Sequence, residues 1–229
     1  MPTLVTSYFV QSATSGDSTT LSTPAFTPSN GEVLVIKAAT WDTGTPSGTP
    51  SGGSLTYTRQ STGAPGGFAG YCTIFTAAVV TSPGSMSVTL SAPAGSCYHS
   101  MTVERWASAK LAGSPATNST VHGGSGPPSV TITTTASNSV ISWVSVDENS
   151  SDPTGRTYLS AATEDGLADG HTSTSSVHYY AYQAAASAGS QTVGMSTPAN
   201  QNWTITGIEI QHATIASTSP PGAFMPFFS

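Results

Sequence analysis

The sequence predicts an all-β fold, a jelly-roll-like β-sandwich built from two internal repeats. Three observations carry that expectation. About a dozen short segments rich in Val, Ile, Thr and aromatic residues recur along the chain, each bounded by Gly, Pro, Asn or Ser. No segment shows the apolar stripe of an amphipathic helix. Residues 71–107 align without a gap with residues 176–212, and a recurrence of that length is the mark of a duplicated unit. Two tandem Ig-like sandwiches are the alternative arrangement of the same strands.

The strand segments follow in order. Residues 4–10, 19–26, 32–41, 55–59, 71–80, 85–91 and 98–106 form the first set. Residues 130–135, 140–146, 157–162, 177–185, 191–196 and 203–212 form the second. In Met86-Ser87-Val88-Thr89-Leu90 the apolar residues alternate with hydroxyls, so one face turns to a core and the other to water. Asn202-Trp203-Thr204-Ile205-Thr206-Gly207-Ile208 alternates in the same way. The repeat matches Ser87-Val88-Thr89-Leu90-Ser91-Ala92-Pro93-Ala94 with Thr192-Val193-Gly194-Met195-Ser196-Thr197-Pro198-Ala199. It also matches Val103-Glu104 with Ile208-Glu209. Upstream, Ser29-Asn30 before Val33-Leu34-Val35-Ile36 parallels Ser137-Asn138 before Val140-Ile141-Ser142-Trp143. The expected organisation is a first repeat over 1–110, a crossover or linker over 111–128, a second repeat over 129–216 and a tail over 217–229. Residues 43–53 carry Gly-Thr-Pro-Ser twice and read as a surface loop.

Composition narrows the function classes. Charged residues are only 7% of the chain, against roughly 25% in ordinary soluble domains. Ser and Thr dominate instead, so the expected surface is neutral and hydroxyl-rich, suited to life inside an assembly. The net charge is −6, and the five cations Lys37, Arg59, Arg105, Lys110 and Arg156 are scattered. Nucleic-acid binding needs a cationic surface and is not expected. No apolar run approaches the ~20 residues of a membrane-spanning helix. The start Met1-Pro2-Thr3-Leu4-Val5 has no basic region before an apolar one, so synthesis in the cytoplasm without a secretory signal is expected. The two cysteines, Cys72 and Cys97, both lie in the first repeat. A disulfide is open to them, but two buried thiols suit cytoplasmic synthesis better.

Patterns for chemistry are sparse. Gly16-Asp17-Ser18 reads as a polar turn, because its only companion, Asp169-Gly170-His171, has the wrong spacing for a hydrolase. The five histidines, His99, His122, His171, His178 and His212, form no metal-type pair. Asp147, Glu148, Asp152, Glu164, Asp165 and Asp169 concentrate carboxylates, and a calcium site or a glycosidase pair would need the fold to gather them. No cofactor is expected. Trp41, Tyr180 and Tyr182 are the candidate glycan-stacking residues; alternation puts Tyr180 and Tyr182 on one strand face, and core packing is their ordinary alternative.

The end of the chain departs from the repeat. Pro220 and Pro221 form an extended stem, followed by Phe224, Met225, Pro226, Phe227 and Phe228. Such a segment is costly to leave in water. It is expected to dock, either back on its own domain or into a neighbouring subunit, and proline lowers the entropy lost on docking.

These features together resemble the β-rich minor tail proteins of tailed bacteriophages that infect actinobacteria. The resemblance rests on Gly16-Asp17-Ser18-Thr19-Thr20, on Asn30-Gly31-Glu32-Val33-Leu34-Val35-Ile36 running on to Trp41, and on the closing Pro220-Pro221-Gly222-Ala223-Phe224 and Met225-Pro226-Phe227-Phe228. It implies a non-enzymatic structural protein of the virion, present in several copies and partnered by other virion proteins. The chain carries no coiled-coil or collagen-like stalk. A carbohydrate-binding module for host cell-surface glycan is the alternative function.

Overall fold

A computed structural model describes residues 1–12, 20–41, 48–63, 70–91, 98–111, 125–149, 152–170, 172, 175–199 and 202–213, and the backbone of 118–123. The tail residues Pro220, Pro221, Phe224, Met225, Pro226, Phe227 and Phe228 lie outside the described residues, as do Cys97, His171 and the Gly16-Asp17-Ser18 turn.

The all-β expectation holds: sixteen strands and no helix are found among the described residues. The first half contributes β1 (Thr3–Gln11), β2 (Leu21–Ser22), β3 (Val33–Trp41), β4 (Thr58–Gly63), β5 (Gly70–Ala78), β6 (Thr89–Leu90) and β7 (Tyr98–Ala107). Then follow β8 (Ala109–Leu111), β9 (Asn118–Gly123), β10 (Ser129–Thr134), β11 (Ser139–Asp147) and β12 (Thr157–Tyr158). The last four are β13 (Thr163–Gly170), β14 (Ser176–Ala185), β15 (Gly189–Thr197) and β16 (Trp203–His212).

Each half is a large antiparallel sheet covered on one face by a small one. The large sheets run β1-β7-β3-β5-β4 and β13-β14-β11-β16, the latter extended beyond β16 by β8 and β9. Read from the other side, the second order repeats the first: β9 stands for β1, β16 for β7, β11 for β3, β14 for β5 and β13 for β4. The small layers are β2-β6 and β10-β15-β12. Leu34, Ile36, Phe75, Met101 and Val103 fill the core of the first half together with Val88 and Leu90. Ile141, Trp143, Tyr179, Ile205 and Val193 do so in the second. The outer faces of the small layers carry hydroxyl pairs, Ser22 with Thr89 and Thr131 with Thr192.

The uncovered faces of the two large sheets pack on each other. β3 lies over β11, β5 over β16, β4 over β9 and β16, β1 over β13 and β7 over β13 and β14. Exchanging each strand for its counterpart reproduces the same list, so the seam has the self-complementary form of a two-fold dimer interface within one chain. Val33, Val35, Ile74 and Trp106 meet Val140, Val144, Ile208 and Ile210 there, all buried.

The gapless sequence match needs one correction. Val33, flanked by Trp106 and Ala78, occupies the place of Val140, flanked by Ile210 and Ala184. Against that frame the match is right for Val88 and Val193, both in small-layer cores, but one residue out of step for β7 against β16 and, in the opposite sense, for β5 against β14. A one-residue slip turns a strand over. Glu104 therefore faces the seam, where it holds Lys37. Glu209, its partner in the sequence match, faces the opposite way and accepts hydrogen bonds from Thr135 and Ala136.

Two strands fall where sequence signals were weak. The crossover segment contains β9, and β13 occupies a run, Thr-Glu-Asp-Gly-Leu-Ala-Asp-Gly, with no apolar alternation. Conversely, the segments at 19–26 and 85–91 shorten to two-residue strands with one further bridge between Phe26 and Met86.

Candidate functional site

The polar side chains with chemical potential converge on the seam. Lys37 sits at the middle of β3, in an otherwise apolar run, and is completely buried. Its Nζ donates to Glu104 Oε1 at 2.7 Å, to Asp165 Oδ1 at 2.7 Å and to the Ala181 carbonyl at 3.3 Å. The Tyr180 ring lies 5.9 Å from the ammonium. Glu104 is held in turn by Trp106 Nε1 and Ser142 Oγ, both at 2.8 Å on Oε2. Lys37 and Glu104 come from the first half, while Asp165, Ala181 and Ser142 come from the second, so the cluster exists only when the halves are joined.

A bulge delivers Asp165. β13 pairs with β14 with a register shift between Glu164 and Gly166. The counterpart strand β4 has the same shift between Arg59 and Ser61. The extra residue lets Asp165 aim into the seam while Glu164 turns outward to Arg156 and Tyr158. Gly166 follows because nothing larger fits: a Cβ there would lie 2.7 Å from both Phe9 Cδ2 and Thr102 Oγ1.

Burial governs the protonation of the cluster. It pushes the Asp165 carboxyl up to about 7, reinforced by the nearby Glu104 and opposed by Lys37. For Lys37, burial favours the neutral amine, but the two carboxylates more than reverse this and its pKa is raised. One orphan remains: Asp165 Oδ2 is buried with no hydrogen-bond partner among the described residues.

Further along the seam Ser100 Oγ lies 2.6 Å from both His178 Nδ1 and the Tyr180 hydroxyl. Burial lowers the His178 pKa to about 3, with His99 adding to the effect, so the imidazole is neutral at ordinary pH. Cys72 is a buried free thiol, hydrogen-bonded to the Thr204 carbonyl, with its pKa pushed far up by burial.

The sequence-chosen residues are dispersed by the fold. Tyr180 and Tyr182 do share a face, as alternation required. Tyr180, however, is fully buried, which corrects its assignment as a glycan-stacking residue. Tyr182 is partly buried, edge-on to Trp106 at 5.2 Å, in a shallow pocket with Met1, Pro2 and Leu4. Trp41 pairs with Tyr98 at the far end of β3, whereas Val33 at the near end pairs with Trp106. Trp41 and Tyr182 thus stand at opposite ends of the seam and form no common platform. The acidic residues also part company: Asp165 goes to Lys37, Glu164 to Arg156 and Glu148 to the Gly70 amide. Among the described residues no group of three or more His, Cys, Asp and Glu could hold a metal ion.

On the surface, Val80 is 82% exposed. It lines a groove of about 380 Å³ with Val33, Ala78, Val79, Ala109 and Leu111. The described chain ends beside it, since the Ala213 amide donates to Ser108 O, next to Ala109.

Sequence reasoning treated Lys37 as one of several scattered cations. The signal that could have singled it out is a lysine inside Val-Leu-Val-Ile-Lys-Ala-Ala, where both strand faces are apolar. No protein-family model, no curated protein and no solved structure matches the chain.

Proposed function

We propose that the protein is a structural, non-enzymatic component of a tailed-bacteriophage virion, present in several copies and held to neighbouring virion proteins by its C-terminal tail and its sheet edges. The observation that carries this reading is where the polar groups lie. Lys37, Glu104, Asp165, Ser100, His178 and Cys72 are buried between the two large sheets, while the outer layers present paired Ser and Thr hydroxyls. A rigid block with a neutral skin and open edge strands suits packing among neighbours. The exposed Val80 groove supports the role given to the tail, because it is an apolar surface beside Ala213, the last described residue before it.

Light scattering tests the assembly element directly. The full-length chain should self-associate, and a chain ending at Ala216 should be a folded monomer. Two monomers would remove the tail as the means of assembly. The glycan-binding reading has weaker support, since it loses Tyr180 to the core and separates Trp41 from Tyr182. It predicts glycan binding that Trp41→Ala or Tyr182→Ala abolishes, and a flat response across a glycan array removes it.

A further inference from the structure

We propose that Lys37 and Asp165 condense into an isopeptide bond that staples the two halves together, with Glu104 as the catalytic proton carrier. This inference does not depend on the virion reading.

The geometry supplies every participant. Lys37 Nζ touches Asp165 Oδ1 at 2.7 Å, so the carboxyl carbon is no more than one bond beyond contact. On its other side Nζ touches Glu104 Oε1, also at 2.7 Å. Glu104 cannot swing away, because Trp106 and Ser142 hold its second oxygen. The surroundings are dry: Lys37 and Glu104 have no exposed side-chain surface and Asp165 has 2%. Aromatic rings of Tyr180 and Trp106 close the site.

An ordinary ion pair accounts poorly for this arrangement. Three ionisable groups meet in a low-dielectric seam, and buried ionic clusters regain their desolvation cost only when every lone pair is satisfied. Here Asp165 Oδ2 is unsatisfied. An amide resolves this. It is uncharged, one carboxyl oxygen departs, and the remaining N–H keeps Glu104 Oε1 or the Ala181 carbonyl as acceptor.

The reaction is a balanced condensation. Burial raises the Asp165 carboxyl to about 7, which favours the protonated form that makes this group an electrophile. The Lys37 ammonium passes one proton to Glu104, and the neutral amine attacks Cγ of Asp165. A C–N bond forms, and the amine passes its second proton to the former carbonyl oxygen, giving a tetrahedral centre with two hydroxyls. The C–O bond breaks as Glu104 returns its proton to the leaving hydroxyl. One water leaves, and the last hydroxyl proton passes through Glu104 to solvent, so ammonium and carboxylic acid give amide, water and one released proton; Glu104 is regenerated, and no oxidant, reductant or activating group is needed.

The bond would join β3 to β13 across the seam, closing a loop between residues 128 positions apart. Intact-mass measurement on the folded full-length chain, incubated at neutral pH, is the test. The expected mass is that of the sequence less one water, with a branched proteolytic fragment joining the Lys37 and Asp165 peptides. Glu104→Gln, which keeps an acceptor for Trp106 and Ser142, should remain folded by circular dichroism and retain the full mass. A folded wild-type chain with the full mass and no branched fragment overturns the proposal. A branched fragment formed by Glu104→Gln at the wild-type rate overturns the role of Glu104.

Discussion

Glu209 offers a direct measurement of how much one carboxylate does for this fold. It is buried on β16 and gathers the turn between β10 and β11. Its oxygens accept from Ser139 Oγ at 2.7 Å, Thr135 Oγ1 at 2.9 Å, the Thr135 amide at 3.0 Å and the Ala136 amide at 3.1 Å. Hydrogen bonds to a charged group contribute about 1.5–3 kcal/mol each, and a buried donor left alone costs about 1–3 kcal/mol. These values do not add here. Thr135 is exposed and rehydrates, and Ser139 keeps the Ala136 carbonyl. Glu209→Ala should therefore cost about 2–4 kcal/mol, measured by urea unfolding at pH 7. The buried Trp106, Trp143 and Trp203 supply the fluorescence signal.

The pH dependence gives a second, independent arm. Burial alone would raise the Glu209 pKa, but the bonds from Ser139, Thr135 and Ala136 outweigh it and hold the carboxyl below its usual 4.5. The folded value thus lies below the unfolded one. The contribution is complete above the unfolded pKa and is lost as pH falls through the folded value. The stability gap between wild type and Glu209→Gln should stay constant from pH 7 down to about pH 5 and close below that. A Glu209→Ala protein within about 0.5 kcal/mol of wild type would refute the reasoning, because it would mean the turn holds without its carboxylate. So would a gap that persists undiminished to pH 3.

Four further outcomes follow from the packing. Gly166→Ala places a methyl 2.7 Å from Phe9 and Thr102, and should cost about 1–3 kcal/mol in urea unfolding; a neutral result would mean the seam is looser than described. Gly194→Ala should be worse, since φ is +130° and the new Cβ would sit 2.2 Å from the Pro128 carbonyl oxygen, a backbone atom; a melting temperature equal to wild type would contradict that. His178 is neutral in the fold because burial lowers its pKa to about 3, so the unfolded chain binds a proton the folded one refuses below about pH 6.5. Stability should fall from pH 6.5 toward pH 4, and His178→Gln should flatten that part of the profile; an unchanged slope would show that another group is responsible. Cys72 should resist alkylation in the native chain and react only on unfolding, as peptide mapping would show; rapid native labelling would contradict its burial.

Much of the molecule is legible in one dimension. Alternation in Met86–Leu90 places Met86, Val88 and Leu90 in a core, because a strand's side-chain period is fixed by backbone geometry. In Trp203–Ile208 it puts Trp203 and Ile205 in a core, but Thr204 and Thr206, expected to face water, are buried because that face of the sheet meets the seam. The all-β class and the twofold recurrence follow from the same local chemistry of Val, Ile, Thr and turn residues. Strand β13 was not legible, since Thr-Glu-Asp-Gly-Leu-Ala-Asp-Gly has no strand pattern of its own. It is a strand because β14 offers it a ladder and Lys37 receives its bulged aspartate.

The sequence by itself determined the fold class, the repeat and the neutral, hydroxyl-rich composition, all properties that depend on neighbours a few residues apart. Only the tertiary structure decided which faces meet. It turned Glu104 inward and Glu209 outward although the sequence aligns them, through a one-residue difference in strand register. It also brought Lys37 to Asp165 from opposite halves of the chain. Contacts between residues so far apart are set by how two sheets stack, and no local pattern encodes that.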